Sequence, residues 1–354
     1  MTSFGIVGTG WRSIFFLRVA QACPDQFQIA GIVTRNPDKA ASLAHQYKAP
    51  LFTSLEALVE TEPAFVVASV PRTVNPGVLH QLADLNMPAL SETPPAATVE
   101  EMRELYARVE QGAKIQVAEQ YFLQPHHAAR LAFAHGGKLG AINQAQVSAA
   151  HGYHGISLMR KYLGVMFENA SITVHNFTSP IVKGPNRNGP PEEESIGDSA
   201  QTVAWFDFGD KFGVFDFNRD QYFSHIRNQR LLVRGERGEI INDTAVYLKD
   251  YLTPIEVKFS RQSAGQEGNL EGNHLKGIQA GEEWVYQNPL APGELSDDEI
   301  AVGSCMLGMA EYANGGDSFY SLAEAYQDTY LDLLIQEASD SGGPISSETQ
   351  PWAR

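Results

Sequence analysis

The chain is poor in cysteine, in basic residues and in long apolar runs, and each shortage excludes a class of protein. Only two cysteines, Cys23 and Cys305, occur in 354 residues. They stand far apart without metal-type spacing, so neither a disulfide framework nor a thiolate metal site is expected. Lys and Arg total 26 against 42 Asp and Glu, a net charge of −16. An acidic surface repels phosphate backbones, which argues against nucleic acid as a partner, whereas a helix N-terminus can still take an anionic dinucleotide. No apolar run is long enough to span a bilayer, so no membrane partner is expected. Ser3–Val7 already reads as a strand, so no export signal is expected ahead of it and a cytoplasmic location is.

What is present is size and alternation. The length suits two domains, and 43% hydrophobic residues supply their cores. Residues 3–8 predict a buried strand, a helix follows from Trp11 to Ala22, and Gln28–Thr34 is a second strand. Asn36 is placed to cap a helix that begins at Pro37. Phe65–Val70 has the continuous apolar character of a parallel strand. Thr98 and Glu101 form a capping-box pattern ahead of another helix, and strand Lys114–Ala118 follows. Strands alternating with helices predict a doubly wound parallel sheet over residues 1–120. Over residues 121–338 strand-like runs dominate and predict an α+β domain with a largely antiparallel sheet. Segments 178–198 and 261–281 read as loops, surface loops in preference to a lid or subunit contact. Residues 339–354 read as a mobile tail.

One motif carries chemistry. Gly8-Thr9-Gly10-Trp11-Arg12-Ser13 follows the first strand and opens the first helix. Gly8 permits the tight turn, Gly10 lets a pyrophosphate approach the backbone, and Ser13 is small enough for close helix–strand packing. The second strand ends in Thr34-Arg35, where an NAD site commonly has an acid for the ribose 2′-hydroxyl. A hydroxyl beside a guanidinium suits a 2′-phosphate, which favours NADP(H) over NAD(H).

Several further stretches, in order and spacing, carry a family resemblance: Val70-Pro71, Glu92-Thr93-Pro94, Gly136–Gly140, Gly152-Tyr153-His154 leading to Leu163-Gly164, Val233–Glu239, and the helix from Leu322. With the glycine turn, they resemble the glucose–fructose oxidoreductase / inositol dehydrogenase / MocA (Gfo/Idh/MocA) family over nearly the whole chain. The resemblance implies a Rossmann domain followed by an open-faced sheet domain, with nicotinamide in the cleft between them. It also implies a homo-oligomer built through the exposed sheet face. The implied reaction interconverts a hydroxyl and a ketone on a sugar, cyclitol or related polyhydroxylated molecule.

Departures fall in the catalytic half. Thr93 stands where the family has lysine, Ala150 and Ser157 where it has aspartates, and Phe122 where it has arginine. His154 matches the family's histidine and is the first candidate for general acid/base, with a helix-capping role as its alternative. Tyr153 and Thr93 complete the candidate catalytic set, although Thr93 cannot act as a base at neutral pH. Tyr121 and His151 are candidate substrate contacts. Cofactor contacts are expected from Gly8, Thr9, Gly10, Trp11, Arg12, Thr34, Arg35, Pro71, Asn75 and Glu92, with helix capping as the competing role of Asn75. Lys161 or Lys183 could replace the missing lysine. His126 and His127 read as solvated. His151-x-x-His154 lacks a third ligand of matching spacing, so no metal is expected. Two other readings stay open: a non-catalytic dinucleotide-binding sensor or scaffold, and a lyase or glycosidase that uses held NAD for transient oxidation.

Overall fold

A computed structural model describes residues 1–353. The first domain alternates as expected: β1 (Thr2–Val7), α1 (Ser13–Ala22), β2 (Phe27–Val33), α2 (Pro37–Tyr47), β3 (Leu51–Phe52), α3 (Leu55–Val59), β4 (Phe65–Ala68), α4 (Asn75–Asp84), β5 (Ala89–Ser91), α5 (Val99–Glu110) and β6 (Ile115–Val117). All six strands are parallel, in the order β3-β2-β1-β4-β5-β6. The order reverses direction beside β1, and such a switch point opens a crevice at the strands' carboxyl ends. β4 is buried along its whole length, as a strand covered on both faces must be. Asn36 accepts the Lys39 amide and Pro37 opens α2, while Thr98 and Glu101 form the reciprocal cap of α5.

The second domain starts with α6 (Pro125–His135), β7 (Ile142–Ser148) and α7 (Gly152–Leu163). A hairpin of β8 (Ser171–Val182) and β9 (Ile196–Asp207) leads to β10 (Phe212–Asn218). β11 (Arg230–Gly235), β12 (Gly238–Ile241), β13 (Thr244–Leu248), β14 (Pro254–Ser263), β15 (Leu275–Ala280) and β16 (Glu283–Gln287) continue as a meander. Helices α8 (Asp297–Ala313) and α9 (Leu322–Ser341) follow, and the short β17 (Ile345–Ser346) closes an 11-stranded sheet. Only β7 and β10 pair in parallel; the rest is antiparallel. Helices α6, α7 and α9 lie on one face. On the other, side chains such as Phe177, Trp205 and Val246 remain exposed.

Three expectations need correction. Of the expected mobile tail, 339–354, the described residues 339–353 are packed in place, and 354 lies outside the described residues. β17 pairs with β8, and Trp352, 1% exposed, packs on Tyr326 and Tyr330 with its indole N–H donated to Gln327. Aromatic burial outweighs the Ser/Gly/Pro composition. The boundary between domains is also not a single cut near 121. α8 returns to the first sheet, where Val302, Met306 and Met309 join Phe4, Phe16 and Leu17 in one core. Finally, the two expected loops are smaller, because strands extend into them. β8 and β9 pair out to Val182 and Ile196, and β14 and β15 take both ends of 261–281.

Candidate active site

The crevice holds a cavity of about 1160 Å³ that runs from the β1–α1 turn to the start of α7. Gly8 has φ +111°, and a β-carbon there would lie 2.1 Å from the Ser69 carbonyl oxygen at the end of β4. Only glycine fits where two strand ends converge so closely. A β-carbon on Gly10 would meet open space. Ser13 is buried and donates its hydroxyl to Ser69 at 3.0 Å, tying α1 to β4. No side chain caps α1, so its first amides are left for a ligand. An open backbone cradle, an uncapped helix start and a long cavity fit a dinucleotide.

Arg12 turns away from that cradle. Its Nε donates to Glu92 Oε1 and its Nη1 to Asp298 Oδ2, both at 2.8 Å. Burial alone would lower its pKa, but the two carboxylates more than offset this and raise it. The guanidinium therefore joins the glycine turn to the loop after β5 and to the first turn of α8. Arg35 and Lys39 line the far end, and neither makes an ion pair among the described residues. The Thr34 hydroxyl accepts the Asn36 amide at 3.2 Å. Beside them, Trp11 is 57% exposed, and Arg187, from the loop between β8 and β9, lies 4.7 Å over its ring. Part of the 178–198 segment thus covers the cavity rim, the less favoured of its two expected roles.

At the other end His154 is 4% exposed, and its Nδ1 lies 2.5 Å from Glu119 Oε2. Its ring is held between Tyr121 and Tyr153, with centroids 4.5 and 4.3 Å away. Because Nδ1 is occupied by Glu119, Nε2 is the nitrogen left for the cavity. Burial pushes the Glu119 carboxyl up to about 8 and the His154 imidazole down to about 3. Both groups therefore favour their neutral forms near neutral pH. Glu119 also accepts the Tyr121 amide at 3.1 Å, which fixes the carboxyl at the exit of β6.

A second layer of hydrogen bonds orders the wall. The Tyr222 hydroxyl accepts the His151 amide at 3.1 Å, lies 2.6 Å from His151 Nδ1 and 3.3 Å from the Tyr121 hydroxyl. Burial lowers His151 to about 4 and raises Tyr121 and Tyr153. Gly152 has φ +44°, and a β-carbon there would strike the Asp332 carboxylate at 2.6 Å. α7 therefore starts close against α9.

Of the residues singled out from sequence, Gly8, Thr9, Gly10, Trp11, Arg12, Thr34, Arg35, Pro71, Glu92, Thr93, Tyr121, His151, Tyr153 and His154 all line this cavity. Asn75 does not. It is the first residue of α4, behind the wall, and donates to Ser91 and the Pro95 carbonyl, so neither the cofactor nor the capping role holds. His154 likewise caps nothing; His151 occupies the N-cap of α7 without a side-chain bond. Lys161 pairs with Glu324 and lies over Phe122 and Tyr320, and Lys183 packs beneath Gly197, so neither lysine reaches the cavity. His127 is buried, not solvated, against Tyr162.

Apart from Thr93, which lines the cavity, the replacements at the departed positions are packing residues. Phe122 stacks on Tyr320, Ser157 bonds the Tyr320 hydroxyl at 2.8 Å, and Ala150 is fully buried. Glu119, Gln120, Gln124, Arg187, Tyr222, Phe223 and Asp298 line or support the site without having been singled out. Only Glu119 carried a signal, as an acid directly after a buried strand in Val117-Ala118-Glu119.

Comparison with known proteins agrees with this geometry. Residues 2–120 match the family model GFO_IDH_MocA, described as "Oxidoreductase family, NAD-binding Rossmann fold". The dinucleotide-binding domain belongs to the Gfo/Idh/MocA family. No curated protein matches the chain by sequence. Among solved structures, levoglucosan dehydrogenase in complex with NADH and levoglucosan superposes with a TM-score of 0.68 at 15% identity, covering 99% of this chain and 100% of that one. An oxidoreductase from Agrobacterium radiobacter in complex with NAD+, L-tartaric acid and magnesium gives 0.65 at 15% identity, covering 97% and 98%. GenD2 from gentamicin A biosynthesis in complex with NAD gives 0.65 at 16% identity, covering 98% and 96%. These likenesses establish that both domains share the family's two-domain fold. Among the described residues no helix is long and apolar enough to cross a membrane.

Proposed function

We propose that the protein is a nicotinamide-dependent oxidoreductase that interconverts a hydroxyl and a ketone on an uncharged, polyhydroxylated small molecule. The carrying observation is the buried Glu119–His154 pair at the inner end of a cavity whose outer end is a dinucleotide cradle. The cofactor supplies hydride acceptance and donation. The chain's own part is to handle the hydroxyl proton. With Glu119 protonated and donating to Nδ1, Nε2 bears a proton that it can give to a carbonyl oxygen. The carboxyl proton then passes to Nδ1, leaving a carboxylate that accepts from Nδ1–H. In reverse, Nε2 takes the hydroxyl proton and the proton on Nδ1 returns to Glu119. The net charge of the pair moves between zero and −1, so the pair does the work the family's lysine would do.

Substrate charge follows from the surroundings of the pair. Arg12 is already neutralised by Glu92 and Asp298. The remaining cations that line the cavity, Arg35, Lys39 and Arg187, stand toward the dinucleotide end. A carboxylate substrate would find no free partner beside His154. Tyr121, Tyr153, Tyr222 and Phe223 offer flat apolar faces and hydroxyls, which suit a sugar or cyclitol ring. Levoglucosan dehydrogenase, similar in fold, binds such a molecule. Arg35 and Lys39 support NADP(H) as the preferred cofactor, and the exposed Phe177, Trp205 and Val246 support assembly through the uncovered sheet face.

Titration of tryptophan fluorescence with NADPH and NADH, followed by turnover assays on neutral sugars, cyclitols and their keto forms, tests the reading. Trp11 reports on binding. Tight binding with turnover that His154→Ala abolishes is the expected result. Binding without turnover on any alcohol or ketone would make the chain a sensor. Binding of neither dinucleotide would overturn the reading entirely.

A further inference from the structure

The β8–β9 hairpin belongs to the second domain, yet its tip reaches the glycine turn of the first. Strand pairing runs out to Val182 and Ile196, and the Lys183 amide continues it by donating to the Ser195 carbonyl at 2.9 Å. The tip itself is closed. The Asn186 and Gly189 amides each donate to the other's carbonyl at 3.0 Å, and the Asn186 side chain accepts the Asn188 amide at 2.8 Å. Arg187 and Asn188 are therefore the two residues at the apex. A β-carbon on Gly184 would lie 3.1 Å from Ser224 Cα, so the tip rests on the loop after β10 that also carries Tyr222 and Phe223. A turn supported in this way holds its apex side chain in one place.

That place is the wall of the large cavity, with the Arg187 guanidinium 4.7 Å over the Trp11 ring. Arg187 makes no ion pair among the described residues, although Glu192, Glu193 and Glu194 follow on the same loop. Trp11 stands between Gly10 and Arg12, in the turn whose backbone suits a pyrophosphate. The other cations of the wall are elsewhere or engaged. Arg12 is spent on Glu92 and Asp298, while Arg35 and Lys39 stand beyond the end of β2 and in α2. An exposed cation–π contact is weak, and a planar guanidinium grips phosphate oxygens with charge-assisted hydrogen bonds that are stronger.

On the dinucleotide reading of this cavity, on which the inference rests, we propose that Arg187 is a cofactor-binding residue that exchanges the Trp11 ring for the pyrophosphate. The β8–β9 hairpin then clasps the dinucleotide from the second domain while the glycine turn and α1 hold it from the first. NADP(H) and NAD(H) share the pyrophosphate, so Arg187 adds affinity for both and selects neither, unlike Arg35.

Isothermal titration of the whole chain with NADPH and with NADH tests this without relying on Trp11, whose surroundings the substitution changes. Arg187 is exposed, so Arg187→Gln should fold, which a thermal melt verifies. Weakening of both dinucleotides by about 5- to 20-fold is expected, from the loss of charge-assisted bonds. The gap between wild type and variant should narrow as sodium chloride rises from about 0.05 to about 0.5 M, because salt screens an exposed ion pair. Dinucleotide binding by the wild type that Arg187→Gln changes by less than about threefold would overturn the clasp and leave the dinucleotide reading standing. So would weakening of NADPH alone, which would put Arg187 on the 2′-phosphate, or a gap indifferent to salt, which would assign the loss to hairpin packing. Binding of neither dinucleotide by the wild type would overturn the dinucleotide reading itself, and the clasp with it.

Discussion

The dinucleotide end of the large cavity is made by consecutive residues, Gly8 through Ser13, acting through backbone and helix start. The proposed proton-handling end joins Glu119 and His154, which stand 35 residues apart, and holds them with Tyr121 and Tyr153, their near neighbours in sequence, and with Tyr222 from the turn after β10. The first end tolerates changes in side chains but not in backbone shape. The second depends on side-chain chemistry and on burial. On the proposed reading the cradle is kept and a buried carboxyl–imidazole pair does the acid/base work, in place of the lysine that the family resemblance puts at the position of Thr93.

The sharpest test of that division is at the pair. His154→Ala and Glu119→Gln should each lower turnover by roughly 10²- to 10⁴-fold while leaving dinucleotide affinity within about threefold, measured as kcat and fluorescence Kd. Glutamine can donate to Nδ1 but cannot return as a proton reservoir, so a fully active Glu119→Gln would break the comparison. Next comes Gly8→Ala. Its β-carbon meets the Ser69 carbonyl at 2.1 Å in a left-handed backbone, so a loss of roughly 2–4 kcal/mol in unfolding stability and of dinucleotide binding is expected. By contrast Thr9→Ala should change little.

Arg35→Ala should weaken NADPH by about 10- to 100-fold with NADH affected less than threefold, because one charge-assisted bond to the 2′-phosphate is lost. Equal weakening of both cofactors would assign Arg35 to the adenine instead. The smallest effect is in pH. Oxidation needs the pair deprotonated, so its rate should rise through about pH 8 and ketone reduction should fall there, and Glu119→Gln should flatten both profiles. The stability sign is fixed by the same shift. Glu119 has a folded pKa raised above its unfolded value. Its contribution is complete below the unfolded value and is lost as pH rises through about 8. Melting temperature should fall between pH 5 and 9, less so in Glu119→Gln.

Much of the first domain was legible because its signals are local. Gly8 announces a turn, Asn36-Pro37 and Thr98-x-x-Glu101 announce helix starts, and Phe65–Ala68 announces a covered strand. Reading the sequence through the family resemblance, with no local signal, singled out His154 and its neighbour His151, and both line the cavity. It failed at Asn75, whose polar side chain is spent on Ser91 and Pro95, and at His127, whose burial no neighbour in sequence reveals. It failed also at the tail, where turn-forming composition is overridden by one tryptophan that finds Tyr326 and Tyr330.

By itself the sequence determined the alternation of strands and helices, the phosphate turn and the cationic end of the second strand, because each depends on backbone geometry or residue type within a few positions. Only the tertiary structure decided that Glu119 meets His154, that α8 returns to the first sheet to put Asp298 on Arg12, and that Arg187 covers Trp11. Those contacts join residues far apart along the chain, and their chemistry comes from the burial that folding imposes on them.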